Sequence, residues 1–305
     1  MTNYPKVSVV TITYGHENYI TQTLDGVLMQ NYPGEIEYII ANDNSPDNTD
    51  EVVKSYFSSK NVPSNFSIKY KNHEVNKGVM PNFIWALKEV SSKYISMCEG
   101  DDYWTDPLKL QKQVDLLEKN VDCSMCVALH RQLSSSGLAE AKRNEGENRL
   151  KLNFPVAHER YFHTSTYLIR ATALQTILKK YRDLLIGDTA MRYLLSAEGS
   201  FVLLNDYVSV YRITGTGVWT SLTEYDKAFA HYEIFSKFRK KHIKSRTAYY
   251  LEREISYLHS MLLLKKETDL YYKKEYYKLV LLRHKIRYQT KLANIRGKLK
   301  DLLKW

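Results

Sequence analysis

Three carboxylates within four residues make Cys98 to Trp104 the segment in which the sequence most strongly indicates chemistry. Glu99, Asp101 and Asp102 directly follow an apolar run that is typical of a buried strand. Carboxylate oxygens at a strand end can hold a hard divalent cation such as Mg²⁺ or Mn²⁺ and leave open positions for substrate phosphates. The alternative is a solvated acidic turn that caps the next helix. Asp106 can cap that helix alone, so the alternative gives the earlier carboxylates no role.

A second candidate loop, Asn42 to Thr49, also follows an apolar run and places Asp43 at the strand end. An acid in this position can accept hydrogen bonds from a ribose hydroxyl or a base N–H. An Asx-rich turn that leads into a helix explains Asn44 to Thr49 equally well. Taken alone, this loop does not decide between the two interpretations.

The loop Thr13 to Asn18 follows the first apolar run and places an aromatic residue beside a glycine. Tyr14 could stack on a base, and Gly15 permits a ligand to approach the backbone closely. Many strand-to-helix loops have this composition, so the loop is informative only together with the other two.

The elements that must position these loops alternate between strand and helix over the first 130 residues. The apolar periodicity predicts strands over 7–12, 36–41, 66–70 and 93–98, and helices over 19–29, 48–57 and 81–90. This alternation predicts an α/β fold with a mainly parallel sheet flanked by helices. Ligands bind such sheets at the carboxyl ends of the strands, which is where all three loops lie.

The later part of the chain changes character. Residues 132 to 160 are rich in serine and charge, which predicts a loop or flap, and a strand is predicted over 201–211. From Thr223 onward Pro and Gly are almost absent, which predicts a C-terminal helical appendage. We therefore predict two domains, 1–220 and 221–305. The apolar residues at helical spacing in the second include Leu251, Ile255, Leu258 and Leu262.

Composition bounds the class of protein. With 305 residues, 44% hydrophobic and 26% charged, the chain is in the range of folded proteins. No apolar run is long enough for a membrane span, the N-terminus does not resemble a signal peptide, and three cysteines do not indicate a disulfide framework. Cys123 and Cys126 have redox spacing, but their apolar surroundings predict inert core thiols. We expect a cytoplasmic protein.

Together the loops resemble the inverting nucleotide-sugar glycosyltransferases with the GT-A fold, from residue 5 to about residue 220. The motifs are T-x-T-Y after the first strand, D-N-S-x-D-x-T after the second, N-x-G-x-x-x-N from Asn76 to Asn82, and E-G-D-D-Y-W after the fourth. The combination is specific, although no single motif is.

The resemblance implies roles for these residues. Asp43 would recognise the donor base, most often uracil, with Tyr14 packed against it. The D-x-D metal motif corresponds to Glu99-Gly100-Asp101, which makes Asp101 the metal ligand, with Mn²⁺ or Mg²⁺ as the cofactor. Glu99 stands where the family more commonly has Asp. The other implied donor contacts are Thr13, Glu17, Glu99, Asp102 and Arg212.

Ile186 to Thr189 resembles the segment that carries the general base in this family. Asp188 would take the proton of the acceptor hydroxyl as that hydroxyl attacks the anomeric carbon. A helix N-cap is the other role considered for Asp188, and the two roles are compatible. Tyr211 to Trp219 resembles the late loop that closes on the donor, with Arg212 available to a phosphate and Thr214 where relatives often have His.

The expected function is metal-dependent transfer of a sugar from a nucleotide donor, UDP-linked by resemblance, to a hydroxyl of a glycan or lipid-linked acceptor. The resemblance implies capsule, lipopolysaccharide or similar surface-polysaccharide assembly. A sugar-nucleotide pyrophosphorylase is one alternative, but the first loop is not the Gly-rich, basic loop that grips a triphosphate. A nucleic-acid-binding protein is the other alternative. The acidic loops of the chain would repel the phosphates of a nucleic acid unless a cation intervened, so no nucleic-acid partner is expected.

The C-terminal tail carries most of the formal net charge of +10, because Arg283 to Trp305 contains eight Lys or Arg and one acid. Apolar residues recur at spacings of three and four at Leu292, Ile295, Leu299 and Leu302, which predicts an amphipathic helix. We predict that residues 285–305 contact an anionic membrane at the inner face of the cell membrane. Packing on the domain, or on a partner subunit in an oligomer, is the alternative.

Overall fold

The structure is a computed structural model that describes residues 4–140, 151–152, 162–181, 187–215, 217, 221–241, 247–264 and 270–302. The chain divides into two compact units, Met1–Thr214 and Gly215–Trp305, and each is described by itself. The domain boundary near residue 220 stays a prediction.

In its described part, the first unit contains one ten-stranded sheet. The strand order is β3-β2-β1-β4-β9-β6-β10-β5, with β7 paired to β6 and β8 to β10. Strands β3, β2, β1 and β4 are mutually parallel, as are β6 and β10, whereas β9 is antiparallel to both of its neighbours. The strands are β1 Val7–Thr13, β2 Ile36–Asn42, β3 Phe66–Asn72, β4 Tyr94–Met97, β5 Tyr103–Trp104, β6 Cys123–Ser134, β7 Gly137–Glu140, β8 Lys151–Leu152, β9 Leu168–Arg170 and β10 Ser200–Arg212.

Helices flank this sheet and bury their apolar faces against it. Strand β2 is buried at every position, which explains why it reads as one continuous apolar run. The predicted α/β fold, with a mainly parallel sheet between helices, is confirmed. The described helices of this unit are α1 Ile20–Leu28, α2 Thr49–Ser59, α3 Val79–Lys88, α4 Lys109–Lys119, a 3₁₀ turn Thr164–Thr166, α5 Ala171–Tyr181 and α6 Asp188–Glu198.

Two local predictions are wrong. Helix α4 begins at Lys109, so Asp106 is not its N-cap; its Oδ1 instead accepts from the Leu108 amide at 2.9 Å. Residues 132–140 are not a loop, because β6 runs to Ser134 and returns as β7. The remainder of the predicted flap lies almost wholly outside the described residues.

Lys109 is a buried cation in the core of the first unit. Its Nζ donates to Ser96 Oγ and Gln113 Oε1, each at 2.8 Å, and lies 4.1 Å from the centre of the Trp104 ring. Burial lowers the pKa of Lys109 to about 7. Its ammonium form is therefore destabilised by the fold.

The free energy of unfolding should consequently depend on pH through Lys109. The unfolded chain holds this proton up to about pH 10, so between about pH 7 and 10 it binds more protons than the folded chain. The contribution of Lys109 to stability is thus lowest below about pH 7, and between about pH 7 and 10 it rises with pH by at most about 1.4 kcal/mol per pH unit. Urea unfolding over this pH range measures the effect. The free energy of unfolding of the wild type minus that of Lys109→Met should increase with pH. A constant difference would contradict the shifted pKa.

The described part of the second unit is helical: α7 Glu224–Lys240, α8 Thr247–Leu264 and α9 Leu270–Leu302. Thr223 caps α7 through a reciprocal capping box with Asp226. Leu251, Ile255 and Leu258 are buried in its apolar cluster, as their spacing predicted. Side chains beyond Arg287 lie outside the described residues, and with them most of the predicted membrane-binding tail.

Among the described residues, no helix combines the length and the apolar character needed to cross a membrane.

Candidate functional site

The acidic loop, Glu99 to Asp102, lies where β1 and β4 end side by side. The Gly100 amide donates to Ile12 O at 3.0 Å, which extends the pairing of the two strands into the loop. A Cβ at Gly100 would lie 2.5 Å from Thr13 Oγ1 and 2.8 Å from His16 Nδ1. Glycine is therefore required for the acidic loop to pack on the first loop, and Thr13 is one wall of the site.

Glu99 is half-buried, and the part of the chain that the structure describes offers a partner to only one of its two carboxylate oxygens. Thr164 donates to Oε1 at 2.6 Å, whereas Oε2 is buried without a hydrogen bond among the described residues. Burial raises the pKa of Glu99 to about 7; the charges of Asp101 and Asp188 raise it too, and the Thr164 hydrogen bond opposes them.

Asp102 is 1% exposed and contacts β10 and the 3₁₀ turn. Its Oδ1 accepts from the Arg212 amide at 2.9 Å, and its Oδ2 lies 3.3 Å from His163 Nδ1. This close pair makes no hydrogen bond, and His163 Nδ1 accepts from the Ser165 amide. Burial lowers the pKa of His163 to about 3, so at neutral pH the ring is uncharged and does not neutralise Asp102. Burial and the charges of Asp101 and Glu99 raise the pKa of Asp102 well above its usual value.

Glu99, Asp102 and His163 form one cluster of possible metal ligands. Their donor atoms all lie within 4.8 Å of one another. Two carboxylates and an imidazole are a donor set that a divalent cation accepts. Asp101 flanks this cluster, with its Oδ2 3.9 Å from His16 Nε2 and about a fifth of its side chain exposed.

Arg212 connects β10 to the acidic loop. Its Nε donates to Asp101 O at 2.8 Å, and its Nη2 donates to Gln22 Oε1 at 2.6 Å. The guanidinium carbon lies 4.8 Å from the ring centre of Tyr19 and 5.1 Å from that of Tyr103. These contacts fix the position of the acidic loop, a role that was not predicted. Whether Arg212 also binds a phosphate stays a prediction.

The first and second loops hold each other through paired hydrogen bonds. Glu17 Oε2 accepts from the amide and the side chain of Asn48 at 2.9 and 2.8 Å, and the Glu17 amide donates to Asp47 Oδ2 at 3.0 Å. The Glu17 carboxylate thus fixes the start of α2. Tyr14, in the same loop, is 47% exposed and available to a flat ligand.

Asp43 is 3% exposed and holds the loop that precedes α3. Its two carboxylate oxygens accept from the amides of Lys77 and Gly78, both at 2.8 Å. Gly78 has φ +86°, a conformation that favours glycine. The structure therefore joins the second motif to the N-x-G-x-x-x-N motif through Asp43. Recognition of a base by Asp43 stays a prediction.

Asp188 is the first residue of α6, and Gly187, with φ +118°, is the N-cap. The interpretation of Asp188 as the N-cap is therefore wrong. Its Oδ1 accepts from the Thr189 amide at 2.6 Å. Besides burial, the Asp188 charge contributes to the raised pKa values of Glu99 and Tyr211. The carboxylate thus acts electrostatically on the acidic cluster.

The sequence did not indicate the partners that the 3₁₀ turn supplies. Thr164 binds Glu99, and the His163 ring stacks on Tyr211 with 4.2 Å between centres. Ser165 Oγ donates to Ser209 Oγ at 3.0 Å, which joins the turn to β10.

Among curated proteins, the chain is similar to some that are named as uncharacterized and to others that are named as glycosyltransferases. The uncharacterized protein Rv1520 of Mycobacterium tuberculosis is 31% identical over 225 residues, which are 70% of this chain and 61% of that protein. The UDP-Glc:alpha-D-GlcNAc-diphosphoundecaprenol beta-1,3-glucosyltransferase WfgD of Escherichia coli is 31% identical over 114 residues, 37% of this chain and 42% of that protein. The chain thus spans about three-fifths of the length of the first of these relatives.

Among solved structures, TarS residues 1–349 of S. aureus in complex with UDP-GlcNAc superposes with a TM-score of 0.63. The match covers 90% of this chain and 79% of that one at 16% identity, which supports the fold. The model of the family described as glycosyl transferase family 2 matches residues 8–178, more than half of the chain and all three loops. The resemblance found in the sequence is thereby confirmed, and the chain belongs to glycosyl transferase family 2.

Proposed function

We propose that this chain transfers a sugar from a UDP-sugar to a hydroxyl of a glycan or lipid-linked glycan, with inversion at the anomeric carbon. The observation that carries the proposal is that Glu99, Asp101 and Asp102 follow the end of β4, where Glu99 and Asp102 form a cluster of possible metal ligands with His163. The names of the relatives support the donor and acceptor classes, since WfgD is described as using UDP-Glc and a diphosphoundecaprenol-linked sugar.

The donor atoms present fit a divalent cation. Glu99 Oε2 and Asp102 Oδ2 are buried without hydrogen bonds among the described residues, and a cation would satisfy both. Asp101, with its more exposed carboxylate, is the residue we propose to hold the Mn²⁺ or Mg²⁺ that also meets the diphosphate. When bound, such an ion stabilises the negative charge of the departing nucleotide.

The chain's own residues would perform the remaining steps. Tyr14 and the loop held by Asp43 would bind the base, and Arg212 keeps the acidic loop in place. Asp188, at the half-buried start of α6, would accept the proton of the attacking hydroxyl. One direct displacement on the opposite face from the leaving group inverts the anomeric centre.

Titration calorimetry with UDP, GDP, ADP and CDP, each with and without Mn²⁺, tests this proposal. We expect UDP to bind, and Mn²⁺ to raise its affinity by at least about tenfold, which corresponds to about 1.4 kcal/mol. Tight binding of another nucleoside diphosphate would change the donor but keep the activity. Binding of polynucleotides without binding of any nucleoside diphosphate would overturn the proposal.

A further inference from the structure

Helix α9 of the second unit has two unlike faces over its described side chains, 271–287. One face packs inside the unit: Leu279 is 1% exposed, and Tyr276 and Ile286 are among the residues that pack on the same apolar cluster. The opposite face displays large apolar side chains to solvent. Tyr271, Tyr277 and Leu281 on α9 are 66%, 66% and 70% exposed.

The exposed face is also basic. At 3.6 residues per turn, Lys274, Lys278 and Lys285 lie on the same side of the helix as Tyr277 and Leu281, and all three lysines are exposed. Within 271–287 the sequence has one acid, Glu275, whose side chain is only 17% exposed and pairs with Lys278 at 3.4 Å. The surface therefore combines positive charge with exposed tyrosine and leucine. We call it the α9 outer face.

We propose that the α9 outer face docks on an anionic phospholipid bilayer, with the helix lying along the membrane surface. Tyrosine rings favour the region between headgroups and acyl chains, and lysine stems reach from that depth to the phosphates. Positive charge complements anionic headgroups. The helix lies on the bilayer and does not cross it, because its inner face is committed to α8.

Charge favours the bilayer over other occupants. A second copy of the same face would bring like-charged lysines together, which opposes association. A nucleic acid would use the lysines but gain little from Leu281. The proposal deepens the proposed function and rests on it for its purpose, since an enzyme that uses a lipid-linked acceptor must meet the membrane. Vesicle binding itself can be measured without any donor or acceptor.

The experiment is co-sedimentation of the full chain with vesicles of phosphatidylglycerol and phosphatidylcholine, and with vesicles of phosphatidylcholine alone, at low and at high salt. We expect binding to the mixed vesicles at low salt only. Lys274→Glu with Lys278→Glu should lower the partition coefficient by at least about tenfold, and Tyr277→Ser with Leu281→Ser should do the same. All four side chains are exposed, so thermal unfolding should hardly change.

The matched control is Lys119→Glu with Lys179→Glu, which makes the same change of charge at exposed positions of α4 and α5. It should bind the vesicles better than the α9 variants. Vesicle binding by the α9 lysine variant that equals that of the control would overturn the proposal and assign binding to the tail beyond Arg287. Dimers that Leu281→Ser dissociates, or polynucleotide binding without vesicle binding, would also overturn it.

Failure of this proposal is distinguishable from failure of the proposed function. Asp188→Asn should bind vesicles as the wild type does, because Asp188 belongs to the other unit. If vesicles bind but no nucleoside diphosphate does, the α9 outer face stands and the glycosyltransferase assignment of donor and metal falls. If UDP binds and vesicles do not, the proposed donor stands and the proposal for the α9 outer face falls.

Discussion

Replacing Asp188 by Asn should lower kcat by roughly 10²- to 10⁴-fold while UDP affinity hardly changes. The amide has nearly the shape of the carboxylate and can still accept from the Thr189 amide, so the start of α6 should stay intact. The amide has almost no basicity, however, and cannot take the proton of an attacking hydroxyl. The loss should therefore be confined to the chemical step.

Release of UDP from the donor that the wild type uses, in the presence of its acceptor, measures this effect, and calorimetry measures nucleotide affinity. Glu224→Gln is the matched control, because Glu224 is likewise the first residue of its helix, α7. We expect it to retain activity. An Asp188→Asn enzyme that loses UDP affinity as much as rate would place Asp188 in the donor site and not at the acceptor.

The fold of residues 7–97 was predictable because its local signals agree. Strands such as β2 are buried throughout and flanked by amphipathic helices, so each element is read from its own residues. The hairpin of β6 and β7 was not predictable in the same way. Its distal half carries His130, Arg131 and Gln132, which do not alternate simply between apolar and polar, and pairing with β10 and β7 determines the strand.

The site was predictable in its residue types and not in its connections. Three acids at a strand end indicated a site without knowledge of any neighbour. The Thr164 hydrogen bond to Glu99 and the Arg212 hydrogen bonds to the acidic loop join residues that are 65 and more than 100 positions apart. No local pattern encodes such contacts, because the sheet order brings β9 and β10 beside β4 and β5. Some residues that were predicted to contact the donor, such as Arg212 and Glu17, therefore hold neighbouring loops in position in the structure.

Asp101→Asn is expected to have the largest effect, with loss of detectable turnover and loss of the gain in UDP affinity that Mn²⁺ gives the wild type. An amide oxygen is neutral and a much weaker ligand for a hard divalent cation than a carboxylate oxygen. Glu99 and Asp102 remain in the variant. Burial raises the pKa of Glu99 to about 7, so this carboxyl is partly protonated near neutral pH, and a protonated carboxyl does not ligate a cation well.

The fold should not suffer from this change. The Asp101 backbone oxygen that accepts from Arg212 is retained, and the side chain is partly exposed. The Asp101 charge helps to raise the pKa values of Glu99 and Asp102, so its removal relieves repulsion among the three acids. The free energy of unfolding at pH 7 should therefore equal that of the wild type within about 0.5 kcal/mol, or exceed it.

Calorimetry of UDP with and without Mn²⁺, followed by urea unfolding, separates these two expectations. Asp115→Asn is the matched control, since it removes one carboxylate from the exposed face of α4 and leaves the acidic loop unchanged. Normal turnover of Asp101→Asn with Mn²⁺ present would show that the ion, if it is needed, is held by Glu99, Asp102 and His163 without Asp101. Loss of activity together with loss of stability would instead mark Asp101 as a structural residue, because relief of repulsion among acids cannot destabilise the loop that carries them.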